Sequence, residues 1–243
     1  MQVVILAAGL GTRLKHLTEA VPKPMVRINA KPIIGHTLQT LFHIKDVDEV
    51  ILVTGWKHDI LEAYVRDAYQ DDIAKVRFLH NQEFRKGSVI TIKKAAHFID
   101  DTFLITNADH IFPRELLLKI ISEHKEVTIG CDDDRQLTND DMKVLFENNV
   151  LVDMGKTLDQ YDSGYTGLTV VDKSLIADYF ACADMTLDKH GAYAAVETVL
   201  LELSRTGVSI HKCDLSNFGW FEIDTPEDHE IAEDGLKTWK SNS

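Results

Sequence analysis

The chain has 243 residues, 44% of them hydrophobic, which suits one large α/β domain or two small ones. Lys and Arg number 26 against 39 Asp and Glu, a net charge of −13, so its overall field does not draw it to nucleic acid or to anionic membranes. The same field repels a small anionic ligand unless cations gather locally or a metal ion accompanies it.

Val3-Val4-Ile5-Leu6 is an apolar run too short for a helix and β-branched enough for a buried strand. Ala7-Ala8-Gly9-Leu10-Gly11-Thr12-Arg13 follows, with small residues that let the backbone approach a ligand closely. Backbone N–H groups in such a turn can cradle phosphate oxygens, and Arg13 adds a fixed charge. Lys23 then stands between Pro22 and Pro24, held by two rigid residues. One glycine turn and two cations in a short span describe a triphosphate site. Gly9-x-Gly11 alone is weaker. It also suits a dinucleotide-binding turn, but Leu14 occupies the third glycine's place, and no Walker lysine follows.

The elements that follow alternate. A helix is expected over Ile34, Leu38, Leu41 and Phe42, a strand over 50–55, a helix over 60–69 and a strand over 76–79. A helix over 89–98 and a strand over 102–106 lead to Asn107-Ala108-Asp109-His110. Such alternation implies right-handed crossovers and a mostly parallel sheet, with ligands beyond the carboxyl ends of the strands.

The second half reads as a helix over 115–123, a strand over 127–130 and a polar loop from Asp132 to Asp141. A hairpin of 143–146 and 151–154 turns at Glu147-Asn148-Asn149. A strand over 167–171, a helix over 192–204 and a strand over 208–211 complete it, and 172–191 receives no element. Thr225 is the N-cap of a last helix, with Pro226 at its first position and Asp228 closing a capping box. No repeat or linker divides the chain. It reads as a single domain with a nucleotide half over about 1–115 and an acceptor half over about 116–235.

Cys131, Cys182 and Cys213 are scattered, which argues against a disulfide framework or zinc site and for thiols in a reducing compartment. The N-terminal run lacks preceding positive charge and a cleavage site, and no stretch of about 18 apolar residues occurs. A cytoplasmic protein without direct membrane insertion is expected. The eleven histidines form no metal-ligand spacing, and only His110 falls near the expected site.

The strings LAAGLGTRL, TEAVPKPM and KPII together resemble the sugar-1-phosphate nucleotidyltransferases. That resemblance implies an α/β, Rossmann-like fold of the glycosyltransferase-A type, a mostly parallel mixed sheet flanked by helices. It also implies a nucleotide site built from Leu6, Ala7, Ala8, Gly9, Gly11, Thr12, Arg13, Lys23, Asn81, Gly87 and Ser88, with Lys23, Arg13 and Asp109 catalytic. Asp109 and Asp224 match the family's metal-binding aspartates, and two carboxylates from distant segments suit Mg²⁺ bridging to phosphate. Glu222 joins that set or pairs with a surface cation. Lys156, Tyr165, Thr166 and Asp109 are the implied acceptor contacts.

Hexose enzymes of the family carry Glu-Lys before a Thr-Gly-Leu segment, whereas Gly155 precedes Lys156 here. A narrower resemblance, to cytidylyltransferases for inositol phosphate and phosphocholine, covers nearly the whole chain. It is carried by NQEFRKGSVITIKKA from Asn81, by DHIF from Asp109, by DMGKTL from Asp153 with Tyr161, and by IDTPED from Ile223. Ser88-Val89 departs from an expected Asn-Gly, and Tyr165 from an expected Asp. The resemblance implies transfer of CMP from CTP to a phosphorylated alcohol, inositol 1-phosphate being favoured. Phosphocholine, an aminoalkylphosphonate and a hexose 1-phosphate are the rival acceptors. Trp220, Tyr161 and Tyr165 are candidates for a choline cage. A nucleotide-sensing subunit without turnover and an NAD-dependent oxidoreductase are the rival classes. Oligomeric state is left open, a homo-oligomer being compatible.

Overall fold

The computed structural model describes residues 1–148 and 150–241. Thirteen strands and seven α-helices are described. In chain order they are β1 (Gln2–Ala7), β2 (Arg27–Ile28), β3 (Lys31–Pro32), α1 (Ile33–Phe42), β4 (Glu49–Thr54), α2 (His58–Ala68), β5 (Val76–His80), α3 (Ser88–Lys93), β6 (Phe103–Asn107), β7 (His110–Ile111) and α4 (Arg114–Glu123). There follow β8 (Val127–Asp132), β9 (Lys143–Glu147), β10 (Val150–Gly155), β11 (Ser163–Val171), α5 (Ile176–His190), α6 (Glu197–Arg205), β12 (Ile210–Asp214), β13 (Phe221–Glu222) and α7 (Pro226–Ser241).

The first half builds a parallel sheet in the order β5-β4-β1-β6, as strand–helix alternation dictates. β11 then runs antiparallel to β6, β8 and β9, and β8 pairs in parallel with β12, so the sheet is mixed. Alternate residues of the buried strands face opposite layers. Val4, Leu6, Ile51, Val53 and Ile105 pack with α3, α5 and α6, through Val89, Ile92, Tyr179, Val199 and Leu203. Val3, Ile5, Val50, Leu52 and Leu104 pack with α1, α2 and α4, through Ile34, Leu38, Leu61, Val65, Leu116 and Ile120.

A third, smaller cluster matters more for the site. Leu14, Val26, Ile28 and Ile33 from the segment after β1 pack against Ile111, Ile223, Ala232 and Leu236. Burying these side chains together brings the loop of Arg13 and Lys23 against the start of α7. The α7 cap has the expected form: Asp228 N–H donates to Thr225 Oγ1 at 3.2 Å, and Thr225 N–H to Asp228 Oδ2 at 2.8 Å.

Several elements differ from the sequence-based expectation. Residues 176–190, given no element, form the fifteen-residue helix α5, whose buried face is narrow: Tyr179, Cys182, Ala183 and Thr186. Its many small and acidic residues hide the helical period. The helix expected over 192–204 begins only at Glu197, and the one expected over 89–98 ends at Lys93 before a 3₁₀ turn over Ala96–Phe98. β11 starts at Ser163, four residues early, because it pairs with neighbours on both edges. β12 runs over Ile210–Asp214, two residues late. Of the expected hairpin turn, Asn149 lies outside the described residues. No described helix is long and apolar enough to cross a membrane.

Candidate functional site

No α-helix directly follows β1. Thr12–Thr18 and Lys23–Met25 are 3₁₀ segments, and the first is kinked at Lys15, with φ 52° and ψ −121°. A dinucleotide-binding turn presents pyrophosphate to a helix N-terminus, and that feature is missing here. The loop is held instead by Thr18 Oγ1, which donates to the carbonyls of Gly11 and Lys15 at 3.0 and 3.2 Å. Gly11 has φ 66°, and a Cβ there would lie 2.6 Å from Lys23 Cβ. Glycine thus lets the turn close onto Lys23.

The register of β1 with β6 sets Leu6 opposite Asn107, so the turn after Ala7 lies beside Ala108 and Asp109. Ala108 N–H donates to Leu6 C=O at 3.1 Å. β13 pairs antiparallel with β7, Glu222 opposite His110, and Ile223 N–H donates to Asp109 C=O at 3.0 Å. This small two-stranded ribbon carries Asp224 to Asp109 across more than a hundred residues of chain.

Lys23 stands between them. Its Nζ donates to Asp109 Oδ2 at 2.5 Å and to Asp224 Oδ1, while Arg13 pairs with Asp224 Oδ2. His110 Nδ1 lies 2.6 Å from Asp109 Oδ1. Burial works against the charge of Lys23, but the two carboxylates outweigh it and raise its pKa. Burial likewise opposes ionisation of Asp109, yet Lys23 and His110 hold its carboxyl well below the usual range. Burial also disfavours the charged form of His110, and Asp109 more than compensates, raising its pKa. Glu222 has no such partner, and burial raises its pKa.

A cleft beside the cluster is lined by Leu6, Ala7, Ala8, Gly9, Lys23, Phe84, Lys86, Ser88, Thr91, Asn107 and Asp109. Arg13 and Asp224 border an adjoining hollow. Asn81 is fully buried behind the wall: its Nδ2 donates to Thr91 Oγ1 at 3.1 Å and its Oδ1 accepts from Glu83 N–H at 2.9 Å. Gly87 packs under the strap of Tyr193 and Ala194, where a Cβ would lie 2.1 Å from Ala194 O, and Ser88 Oγ accepts from Val196 N–H at 2.8 Å.

A second pocket, on the far side of His110, is lined by Asn107, Arg135, Asp141, Lys156, Tyr165, Glu197 and Glu222 among others. Lys156 and Tyr165, two of the expected acceptor contacts, both line it. Thr166 does not: it is buried and donates to Gly130 C=O at 3.1 Å. Lys143, itself buried, braces the rim by donating to the carbonyls of Thr138 and Lys156, each at 2.7 Å.

The proposed aromatic cage is not assembled. Trp220 Nε1 donates to Asp132 at 2.5 Å, its ring stacks on His110 at 5.4 Å, and the Arg135 guanidinium already lies 4.5 Å from its centroid. Tyr165 is buried with its hydroxyl on Thr169 at 2.8 Å, and Tyr161 is exposed beside Lys143.

Phe84, Lys86, Thr91, Asn107 and Glu197 were not predicted. Asn107 was within reach of sequence reading, since it closes the strand that leads to Asp109. Glu197 carries no local signal; it follows a helix that sequence reading left out.

For a metal, the residues fit. Asp109, His110 and Glu222 bring ligand atoms within 4.8 Å of one another, and Asp224 shares Lys23 with Asp109. A set dominated by carboxylate oxygens suits a hard divalent cation.

Comparison with known proteins agrees with this fold. A protein of Archaeoglobus fulgidus named bifunctional IPC transferase and DIPP synthase is 28% identical over 97% of this chain and 44% of its own length. The chain spans about half the length of the curated relatives it matches over most of its length. The inositol-1-phosphate CTP transferase structure from T. maritima superposes with a TM-score of 0.78 at 23% identity, covering 95% of this chain and 94% of that one. The CTP:phosphocholine cytidylyltransferase structure from Streptococcus pneumoniae superposes with a TM-score of 0.77 at 19% identity, covering 97% and 98%. The model of the nucleotidyl transferase family matches residues 2–138, more than half of the sequence and the whole stretch from β1 through Asp109, so the chain belongs to that family.

Proposed function

We propose that this protein transfers CMP from CTP to a phosphorylated alcohol, with inositol 1-phosphate as the favoured acceptor, and releases pyrophosphate. The observation that carries the transfer chemistry is the cluster in which Lys23 joins Asp109 to Asp224 at the carboxyl edge of the parallel strands, with Arg13 beside it. Similarity to the bifunctional IPC transferase and DIPP synthases over nearly the whole chain, and to the inositol-1-phosphate CTP transferase of T. maritima, supports the choice of nucleotide and acceptor.

The acceptor's phosphate oxygen attacks the α-phosphorus in line, forming one P–O bond as the bond to the pyrophosphate oxygen breaks. A phosphate monoester is already an anionic nucleophile, so little proton transfer is needed. Catalysis is then positioning and neutralisation of charge. The backbone from Ala7 to Gly9 lines the cleft and borders the nucleotide. Arg13 faces the β- and γ-phosphates, Lys23 the charge that grows around the α-phosphorus, and Lys156 the acceptor phosphate. Enzymes of this family generally use a divalent metal. Mg²⁺ held by Asp109 and Asp224, with Glu222 in reach, would neutralise phosphate charge.

The overall fold does not choose the acceptor, since inositol and choline enzymes superpose about equally well. The local chemistry does favour one. A quaternary ammonium needs open aromatic faces, and the Trp220 ring is already engaged by Arg135 and His110. The three described cysteines are free and buried, which supports a reducing, cytoplasmic setting. The test is pyrophosphate release from ATP, GTP, CTP, UTP and dTTP, each with inositol 1-phosphate, phosphocholine, phosphoethanolamine and glucose 1-phosphate. CTP with inositol 1-phosphate should be fastest. Glucose 1-phosphate with UTP or dTTP outpacing every CTP pair would sink the assignment.

A further inference from the structure

We infer that Glu197, at the start of α6, is the group that reads the hydroxyls of the acceptor, taking the place of the carboxylate absent at Gly155. This rests on the reading of the chain as a cytidylyltransferase for a phospho-alcohol.

The second pocket holds few charged groups still open to a ligand. Asp141 is taken by Arg135 at 3.1 Å and by Thr138, and Arg135 also reaches Asp132. Lys156, Glu197 and Glu222 line the same pocket, and none has a hydrogen bond or ion pair to another side chain among the described residues. Glu222 lies with Asp109 and His110 in the potential metal set. Asp140 also lines the pocket without a side-chain partner but is exposed to solvent, which leaves Glu197 as the half-buried carboxylate outside the potential metal set, met by its own backbone N–H and by the field of Lys156.

A half-buried carboxylate met by one backbone N–H keeps acceptor capacity that is costly to leave unfilled, and a ligand can supply the missing donors. Lys156 supplies the complementary charge for a phosphate. A cation and a carboxylate sharing one pocket fit a ligand with an anionic end and several O–H donors. An ammonium would also pair with Glu197, but Tyr165 is the one Phe, Tyr or Trp among the described lining residues, short of the several faces that a cage needs. Loss of the hydroxyl-binding carboxylate at Gly155 is therefore made good from a different element. Tyr165 fits the same arrangement: its hydroxyl is spent on Thr169, so the ring forms pocket wall and leaves acceptor hydrogen bonding to Glu197.

The experiment is steady-state kinetics of the full chain and of Glu197→Gln and Glu197→Ala, with CTP and myo-inositol 1-phosphate, phosphocholine, phosphoethanolamine or glycerol 3-phosphate, the last an acceptor with fewer hydroxyls. Losing a partner for buried polar groups should raise KM for inositol 1-phosphate about 10- to 100-fold. KM for CTP should stay within about twofold, and the preference for inositol 1-phosphate over glycerol 3-phosphate should collapse. Glu197→Asp should recover part of that preference. Thermal melting confirms that each variant is folded, and the two replacements guard against one that is not. A parent enzyme that favours inositol 1-phosphate together with variants that keep the preference overturns this proposal alone. A parent that favours phosphocholine or phosphoethanolamine overturns both this proposal and the acceptor reading beneath it.

Discussion

The two pockets handle charge in opposite ways. On the nucleotide side every charged group at the centre already has a partner: Lys23 with Asp109 and Asp224, Arg13 with Asp224, His110 with Asp109. On the other side Arg135 and Asp141 pair with each other at 3.1 Å, but Lys156, Glu197 and Glu222 of the same pocket have no ion pair among the described residues. The first region is neutralised within itself, so on the proposed reading a triphosphate and its cation would enter by exchange of ion pairs. The second is left open, so the ligand itself completes the pairing. This difference explains how a chain of net charge −13 admits anions: they displace internal partners at one place and meet an unspent lysine at the other.

The largest test of that contrast is Lys23→Ala. It should lower kcat about 10²- to 10³-fold, the effect of removing one electrostatic stabiliser. If Asp109 and Asp224 hold the metal as proposed, lysine and metal compete for the same carboxylates in the nucleotide-free protein. The variant should therefore bind Mg²⁺ more tightly by calorimetry when CTP is absent. Unchanged rate and unchanged metal affinity would remove Lys23 from the centre. Asp224→Asn should raise the Mg²⁺ concentration needed for half-maximal rate. A titration identical to the parent would make Asp224 a structural partner of Arg13 only.

Lys156→Ala probes the open side. A hydrogen bond to a charged group contributes about 1.5–3 kcal/mol, so KM for every acceptor should rise about 10- to 100-fold while CTP affinity holds. A parallel loss of CTP affinity would place the lysine in the wrong pocket.

Gly155→Glu sharpens the comparison further. A Cβ at 155 meets only Leu158, at 3.9 Å, so the side chain is accommodated. The variant should gain activity with glucose 1-phosphate by a few-fold. No gain would mean that a side chain at 155 does not reach the acceptor.

The smallest effect concerns stability. Burial raises the Glu197 pKa, opposed in part by its backbone N–H, Lys156 and His110 and reinforced by Asp109. A carboxyl whose folded pKa lies above its unfolded value of 4.5 destabilises the fold once pH exceeds both, and not below both. Glu197→Gln should thus raise Tm by a few degrees at pH 8 and leave it unchanged near pH 4, read by differential scanning fluorimetry. A gain of equal size at both pH values would assign the effect to packing.

Much was legible in the order of residues. Apolar runs of β-branched residues announced β1, β4 and β6, because a strand buried on both faces leaves no polar position to interrupt it. Thr225-Pro226-Glu227-Asp228 announced the start of α7, because capping is local chemistry. Gly11, Arg13 and Lys23 stood close enough in sequence to be read as one binding loop. Helix α5 was not legible: its buried stripe of Tyr179, Cys182, Ala183 and Thr186 is too weakly apolar to show a period.

The sequence by itself determined the strand–helix alternation, the glycine turn with its two cations and the two carboxylates at element ends, since each depends on neighbours a few residues away. Tertiary structure alone decided which of these groups meet. The pairing of β13 with β7 joins Asp224 to Asp109, and the packing of Leu14 on Ile223 brings Arg13 and Lys23 to both. It also decided that Trp220 is covered by Arg135 and that Glu197 enters the acceptor pocket. Such contacts between distant segments leave no periodic trace in either one. They arise when apolar faces from separate parts of the chain are buried together, and the charged residues beside them are carried into reach.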